Sequence, residues 1–513
     1  MDSVRLTGTN LAGANLDPLF LFGISSGGIR GVPRNMPSAY RLILGHIVGR
    51  RANLDNADLM GADLSSLSLY GVSLIGANLT ATNLSGSDLG YANLTGAILT
   101  STNLSGADLS YANLSEAILT STNLTGATTN STKFKGAKFT RPLLGVSTFA
   151  GLDCTNAVFH DVDLDGISLA TATLTNVASK NITGSPILPV GWSVVQGYLV
   201  GPTANLAGAQ LRGSNLTDVN LGFVTLTGAD LTQANLTRTN LSNAILVATN
   251  LTSVNAAQAN FTHATIAYST LSGAVLANST MTGLSARGNT GTPASLPSSW
   301  TLVSGYLLGP TAFLPGASFA AGTNLSGLDL RNAYLTAGTF AAVNLSGATL
   351  AGAHLSGSDL SGATLTNANL GGAILTAGTY NRASFRGANL TYANLSDATF
   401  VDADLTGAVL NDAIWTNASC PDGSASTTHG ASCVGFLTTR TPTATATLTV
   451  SATPIRTVSA TRVTTPSKTP IKAPSKSPTL SRTSTRTRTP TKKAGGRGIP
   501  TVTQTRSIPT ATR

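Results

Sequence analysis

A bulky apolar residue returns at every fifth position through most of this chain. From Leu54 to Leu174 there are twenty-five such positions, and nearly all hold Leu or Phe; the departures are Thr129 and Cys154. The residue two places earlier is usually small, as at Ala52, Ala57, Ala62, Ala77, Ala92, Ala97 and Ala107. The residue just before the apolar one is commonly Asn53, Asp58, Asp63, Asn78, Asn83 or Asp88, and the residue after it is often Ser or Thr. A period of five matches neither a 3.6-residue helix nor a two-residue strand alternation. It marks a solenoid, built from units that cannot bury their apolar side alone. A second run spans Leu206 to Met281, sixteen positions with Ala256 the weakest. A third spans Leu325 to Trp415, nineteen positions including Phe340, Tyr380, Phe385 and Phe400. A short start appears at Leu6, Leu11 and Leu16.

A longer period lies over the short one. Residues 91–110 and 111–130 agree at fourteen of twenty positions, and Ile98 recurs at Ile118 although the intervening equivalents are polar. Four five-residue units per turn predict a four-sided coil, in which each residue stacks on the one twenty places later. Leu94, Leu99, Leu104, Leu109, Leu114 and Leu119 are then a core ladder on the axis. Stability of such a stack is close to a sum of nearest-neighbour terms, and its open ends are exposed sheet edges.

The runs are separated by a second repeated phrase. Trp192 is followed by Gly197-Tyr198-Leu199-Val200-Gly201-Pro202, and Trp300 by Gly305-Tyr306-Leu307-Leu308-Gly309-Pro310. A degenerate copy holds Tyr40 and Gly45-His46-Ile47-Val48-Gly49. In each copy the aromatic residue stands fourteen positions before the residue that reopens the five-residue phase: Leu54, Leu206 and Leu314. We expect short hairpin-like excursions with Gln196-Gly197 and Ser304-Gly305 at the turns. Tyr40, Trp192, Tyr198, Trp300 and Tyr306 act there either as an apolar clasp between solenoid segments or as a ligand loop. The layout is a repeat start and cap-like segment over 1–51, then run one over 52–181, an excursion over 182–203 and run two over 204–289. A second excursion covers 290–322 and run three 323–419. A Cys-bounded cap over 420–439 and a basic tail over 440–513 complete the chain.

These tandem units, Ala-(Asn/Asp)-Leu-(Ser/Thr)-Gly over residues 52–175, 204–282 and 323–416, closely resemble the pentapeptide repeat family. The resemblance implies an all-β, right-handed quadrilateral β-helix whose central Leu or Phe and preceding small residue point inward. Cys420-Pro421-Asp422-Gly423 and Cys433 also resemble the ending of some exported-looking members. We read Cys420–Cys433 as a disulfide closing a C-terminal cap, worth about 3 kcal/mol if formed; the alternative is two unpaired thiols. Cys154 occupies a central slot and reads as a small core residue.

The formal charge of +10 belongs to one end of the chain. Residues 440–513 hold fourteen Lys or Arg and no acid, so the rest carries seventeen bases against twenty-one acids, a net of −4. That tail is rich in Thr, Ser and Pro, with no aromatic residue and no apolar period, so it is expected to be a disordered stalk or linker. Its charge suits nucleic acid, anionic lipid or a cell-wall polyanion; the alternative is a solvated spacer, glycosylated on Ser or Thr. The cysteine cap and this tail favour an extracellular or cell-surface setting. Against that, MDSVRLTG shows no charged segment followed by an apolar one, hence no ordinary signal peptide. No stretch of about eighteen apolar residues signals a membrane span.

Chemistry is sparse. His46, His160, His263, His354 and His429 are scattered, and Glu116 is the only Glu. Neither a nucleophile elbow nor a phosphate loop is visible, and no cofactor is implied. Asp161, Asp163, Asp165 and Gly166 copy the opening of a calcium loop, but Ala172 stands where a bidentate Glu is needed, so the in-phase solenoid reading is preferred. The expectation is a non-enzymatic structural or protein-interaction scaffold, surface-displayed and tethered or spaced by the tail, with an unknown protein or surface partner. One alternative is a DNA mimic, since some members of the resembled family bind DNA gyrase through acidic faces; a body charge of −4 is weak for that. The other is an ice- or carbohydrate-binding face, suggested by Thr100 over Thr120 and Thr102 over Thr122.

Overall fold

The structure, a computed structural model, describes residues 5–17, 21–145, 149 and 151–435. The chain is an all-β solenoid whose backbone pairing advances in parallel steps of twenty, as in Asp58 to Asn78 to Ile98 to Ile118. One five-residue unit forms each side. The corner between sides explains the composition of the unit. The Ala57 N–H donates to the Leu54 carbonyl at 3.0 Å, and Asn56 takes φ +58°. This is the geometry of a type II turn, which needs a positive φ at its third residue. Gly76, Gly86, Gly96 and Gly106 fill the equivalent corner, where glycine carries no Cβ penalty.

Successive coils are laced from both directions. The Leu54 N–H donates to the Ser73 carbonyl at 2.7 Å, and the Ser73 N–H donates back to the Ala52 carbonyl at 2.9 Å. The Asn or Asp before the apolar slot completes the lacing. Asn78 Oδ1 accepts the Thr80 N–H at 3.1 Å, while its Nδ2 donates to Asp58 Oδ1 in the coil before at 2.9 Å. Asn103 and Asn123 extend the same ladder from Asn83, each at 3.2 Å. Asn can both accept from its own turn and donate to its neighbour, whereas an ionised Asp can only accept, which is why Asn outnumbers Asp in these columns.

The axis is apolar. Leu94, Leu99, Leu104, Leu109, Leu114 and Leu119 are wholly buried. Larger slots stack aromatic rings, Phe139 on Phe159 and Tyr380 on Phe400, both at 4.8 Å between centroids. Cys154 is buried as a small apolar filler, and burial pushes its thiol up to about 12. Where a slot two residues before the central one holds Thr, the hydroxyl finds a backbone partner inside. Thr82, Thr102 and Thr122 donate to the carbonyls of Leu59, Leu79 and Leu99 at 2.7, 2.6 and 2.6 Å.

Short true strands mark two features. One is the hairpin: β1 (Tyr40–Ile43) with β2 (His46–Gly49), antiparallel. The other is a stack along one side: β3 (Ile118–Thr120), β4 (Lys138–Thr140), β5 (Val158–His160) and β6 (Ala178–Lys180), parallel in steps of twenty. Next come hairpin β7 (Ser193–Val195) with β8 (Tyr198–Val200), and stack β9 (Ile245–Val247), β10 (Thr265–Ala267) and β11 (Ser285–Arg287). Hairpin β12 (Thr301–Val303) with β13 (Tyr306–Leu308) follows. The three hairpin turns are Leu44-Gly45, Gln196-Gly197 and Ser304-Gly305, all with positive φ at both residues, the type I′ form that matches strand twist.

The first hairpin lies within the first of three apolar cores, and the second and third sit between successive cores. Leu199 belongs to the first core while its neighbours Tyr198 and Val200 belong to the second; Leu307 and Leu308 divide likewise between the second and third. Trp192 packs against the first and second cores, and Trp300 against the second and third. Each ring lies over a glycine: a Cβ on Gly49, Gly201 or Gly309 would come within 2.4, 2.4 or 2.3 Å of the Tyr40, Trp192 or Trp300 ring. The coil then resumes its register, Asn205 pairing with Ala178 and Asn53 with Ser25.

Two details differ from the pattern of the repeat. Coiling already runs through the 1–51 segment, with Arg5, Asn10 and Asn15 paired to Ser25, Arg30 and Asn35. Core burial also reappears before Leu325, at Leu314 and Phe319. An extra residue hides that stretch from a five-residue count, since Ser318 pairs with Thr339 but Asn324 with Asn344. At the other end Trp415 is buried, and Cys420 and Cys433 are joined with Cα atoms 5.4 Å apart. Between them a single 3-10 turn, Ser426–His429, ties back through the Ser426 N–H to the Ala418 carbonyl at 2.8 Å. The basic tail over 440–513 lies outside the described residues.

Leu104→Asp places a charge on the axis without a partner, a change costing several kcal/mol. Hydrogen exchange is expected to rise in the coils flanking residue 104 and to stay low over 344–405; a uniform rise through all three cores would contradict nearest-neighbour stability. Gly201→Ala should push the Trp192 ring aside, costing about 1–3 kcal/mol and red-shifting tryptophan emission, whereas Gly208→Ala, at an open corner, should leave the emission unchanged.

Candidate interaction surface

With the axis and the ladders committed to structure, only corners and outward side chains are open to a partner. The sequence-predicted site residues fall on both sides of that division. Thr102 and Thr122 are buried, so the Thr102–Thr122 ladder is not a surface; its hydroxyls serve backbone carbonyls. Thr100 and Thr120 remain half-buried and do not make an extended Thr face.

The aspartates are spread and occupied. Asp161 Oδ1 accepts from Asn181 Nδ2 at 2.7 Å, Asp163 Oδ1 accepts the Asp165 N–H at 3.2 Å, and Asp165 Oδ1 accepts the Ser185 N–H at 3.1 Å. Among the described residues no three His, Cys, Asp or Glu side chains gather as metal ligands. Elsewhere the repeat itself tunes the carboxyls. Hydrogen bonds from Thr155, Thr232 and Thr406 hold Asp153, Asp230 and Asp404 below the usual range. The Arg238 and Arg331 guanidiniums do the same for Asp218 and Asp329. Such groups are held as anions, the wrong state for a general acid at neutral pH.

One cluster was not visible in the sequence. In the cap, Ser424 bonds to Asp422 and its Oγ lies 2.9 Å from His429 Nε2. The order is wrong for a nucleophile. The Ser424 hydroxyl donates its hydrogen bond to the Asp422 carboxylate and so does not offer that proton to the imidazole, whereas a catalytic base must accept it.

The excursion aromatics are structural neighbours of the coil. Tyr40 donates its hydroxyl to the Arg50 carbonyl at 3.0 Å. The Tyr198 and Tyr306 hydroxyls accept the Gln210 and Ser318 N–H groups, each at 3.1 Å. Tyr40 and Tyr198 are buried, and Trp192, Trp300 and Tyr306 are half-buried.

Among the exposed residues, some aromatic rings form columns. At one corner Arg50 lies over the Tyr70 ring, 5.3 Å from its centroid, Tyr70 meets Tyr91 at 5.3 Å, and Tyr91 stacks on Tyr111 at 4.7 Å. Tyr91 and Tyr111 are each 54% exposed. A second column joins Phe313 to Tyr334 at 5.6 Å and Tyr334 to His354 at 4.2 Å. Beneath Phe313 a cleft of about 460 Å³ opens among His263, Gly283, Thr311, Asn332 and Tyr334. Tyr91 and Tyr111 stand twenty apart, so the coil period could have revealed them. The extra residue before Leu325 puts Phe313 and Tyr334 twenty-one apart and conceals the second column. Among the described residues no helix is long and apolar enough to cross a membrane.

Comparison with known proteins places this architecture. A sequence profile described as Pentapeptide repeats matches residues 50–80, 66–100, 77–115, 102–141, 204–243, 244–283, 340–376 and 381–419. No curated protein matches the chain. Among solved structures, a pentapeptide repeat protein from the Arabidopsis thaliana thylakoid lumen is 33% identical over 20% of this chain, with a TM-score of 0.17; the chain spans 66% of its length. A pentapeptide repeat protein from the cyanobacterium Cyanothece 51142 is 32% identical over 27% of this chain and 90% of its own, with a TM-score of 0.12. HetL, a pentapeptide repeat protein involved in heterocyst differentiation regulation from the cyanobacterium Nostoc sp. strain PCC 7120, is 22% identical over 72% of this chain and 93% of its own, with a TM-score of 0.16. The eight profile matches fall on the coils described above, and the Cyanothece protein is covered almost throughout: this chain belongs to the pentapeptide repeat family.

Proposed function

We propose that this protein is a non-enzymatic scaffold that presents its solenoid corners to a protein partner, with residues 440–513 as its spacer or tether. The observation that supports this best is the column of Arg50, Tyr70, Tyr91 and Tyr111, in which the Tyr91 and Tyr111 rings at the corner are exposed. Burying Tyr91 and Tyr111 inside a solenoid is impossible, because their left-handed corner backbone points them outward. Tyr and Arg are the residues that most often anchor protein interfaces, and a stack of rings is rigid before a partner arrives, which lowers the ordering cost of binding. Against catalysis stands the use of the polar groups. The Asn columns hold the coils together, the interior Thr hydroxyls satisfy carbonyls, and the carboxyls above are kept charged by fixed donors.

The acidic-rod reading is less favoured. Its field would come from aspartates such as Asp58, Asp63, Asp88 and Asp108, yet Asn78 follows Asp58 in its column, Asn83, Asn103 and Asn123 follow Asp63, and Ser68 and Thr128 flank Asp88 and Asp108. A net of −4 spread along so long a body is weak beside the steering fields that polyanion mimicry needs.

The test is affinity capture from the native host with cross-linking, comparing the full chain with the Tyr91→Ser/Tyr111→Ser double variant and with a chain ending at residue 439. The double variant should melt within about 2 °C of the parent, since the rings are exposed. It should lose the cross-linked partner, while the truncated chain keeps that partner but changes where it resides. Partner capture unaffected by the double variant would reject this corner. DNA gyrase supercoiling should proceed at low-micromolar protein, and inhibition there would move the assignment to DNA mimicry.

A further inference from the structure

The cleft under Phe313 has a cause in the chain. The coil that carries hairpin β12–β13 returns to register with Phe313 over Ser285, its N–H bonding the Leu284 carbonyl at 2.9 Å. The residue below the Phe313 ring is therefore a small serine, while the residue above it is Tyr334. The corner column beside it reads His263, Gly283, Thr311 and Asn332. Gly283 leaves a notch there, and the His263 ring leans across it: a Cβ at position 283 would lie 2.3 Å from His263 Nδ1. The result is a slot with His263 on one side and Phe313 and Tyr334 on the other.

Three properties define what fits. Phe313 and Tyr334 are inclined by 47°, and Tyr334 is covered on its other side by His354, stacked at 10°. The free aromatic surface is therefore the Phe313 face over Ser285. The lining carries no carboxylate, ammonium or guanidinium; the nearby Arg331 guanidinium is held by Asp329 at 2.7 Å. The His263 imidazole and the Asn332 carboxamide are exposed and make no hydrogen bond within the described residues. An open ring face, unspent donors and acceptors, and a lining without carboxylate, ammonium or guanidinium match one chemistry. A neutral sugar ring offers an apolar C–H face to the aromatic ring and hydroxyls to the amide and imidazole. A charged ligand would find no counter-charge here, and a wholly apolar one would strip water from His263 and Asn332 without replacing it.

We propose that this slot binds a neutral hexose unit of a glycan, stacked on Phe313 and hydrogen-bonded by Asn332 and His263. It deepens the scaffold reading, on which it rests, by naming a surface glycan as one of the things the scaffold holds.

The experiment titrates the full-length protein with cellohexaose, maltohexaose and chitohexaose by calorimetry and by saturation-transfer NMR. Single-site binding in the submillimolar to millimolar range is expected for at least one, as for a small, solvent-open site. Phe313→Ala should weaken it about tenfold or more. Asn332→Ala should weaken it severalfold, and Tyr392→Ala, an exposed ring in another coil, should not change it. Melting temperatures of the variants guard against misfolding, and Gly283→Ser, which narrows the slot without removing a ring, gives a second way to abolish binding. No binding of any of the three sugars, binding indifferent to Phe313→Ala, or tighter binding of N-acetyl-tryptophanamide than of any sugar would each overturn the proposal. Failure here leaves the Tyr91–Tyr111 corner untouched. Release of reducing ends from a bound hexaose would instead overturn the non-enzymatic reading and keep the site.

Discussion

The whole structure rests on reciprocal backbone hydrogen bonding between coils, at a step of twenty residues wherever no hairpin or extra residue intervenes. Neither direction of that lacing exists within one coil, so no coil is stable by itself. The Leu54 N–H needs Ser73, and the Ser73 N–H needs Ala52. Everything else in the repeat serves the register. The corner residue must turn the chain left-handed, the small residue must let the backbone approach, and the Asn must reach both its own turn and the coil before. A chain built this way can lengthen freely, but a one-residue change of phase has to be absorbed between paired positions, as it is between Ser318 and Asn324. A displacement of one residue would send the leucines outward and the asparagines inward.

That constraint explains the hairpins. An insertion into a solenoid must leave and return at the same point of the cross-section. Each of the three does so by packing its second strand beside the coil just completed, the Ile29, Ile182 and Asn289 N–H groups donating to the Gly45, Gly197 and Gly305 carbonyls. The aromatic ring at the hairpin base covers apolar side chains that would otherwise meet water at the step. The glycine beneath it is a consequence of ring thickness, since no Cβ fits there. The C-terminal end meets the same need differently. With no further coil to pair, Trp415 is closed over by the segment between Cys420 and Cys433, whose Ser426 also hydrogen-bonds the Trp415 carbonyl.

Much of this could be read in the sequence because the determinants are local and repeated. The apolar slot, the small residue and the Asn recur so often that the coil period follows from one comparison of residues 91–110 with 111–130. The hairpin turns were legible for the same reason, through Gln196-Gly197 and Ser304-Gly305. What escaped depends on stacking between coils rather than on the repeat. Thr102 and Thr122 look like a surface ladder until their position in the unit is taken into account: they fill the small-residue slot, which points inward. The Tyr column mixes two positions of the unit, Tyr70 before the corner and Tyr91 and Tyr111 on it, so no single spacing finds all three. Phe313 and Tyr334 are hidden by one extra residue, and the cleft depends on what is missing at Gly283 and Ser285, which a search for functional side chains passes over.

The division between committed and uncommitted positions also limits where function can evolve in such a chain. Slots on the axis and in the Asn columns answer to their neighbours twenty residues away, so a change at one is felt in two other coils. Corners answer to less. Most have open space around their side chain, as at Gly96, Gly106, Gly208 and Gly213, and any residue placed there pays only the cost of a left-handed backbone, about 1 kcal/mol or more. A large side chain at a corner is therefore cheap to place but never buried by the fold. Tyr91, Tyr111, Phe223, Tyr268 and Tyr392 all occupy such corners and all are exposed. Their rings add nothing to the core; within the chain they gain only contact with a neighbouring ring, as Tyr91 does in stacking on Tyr111 at 4.7 Å.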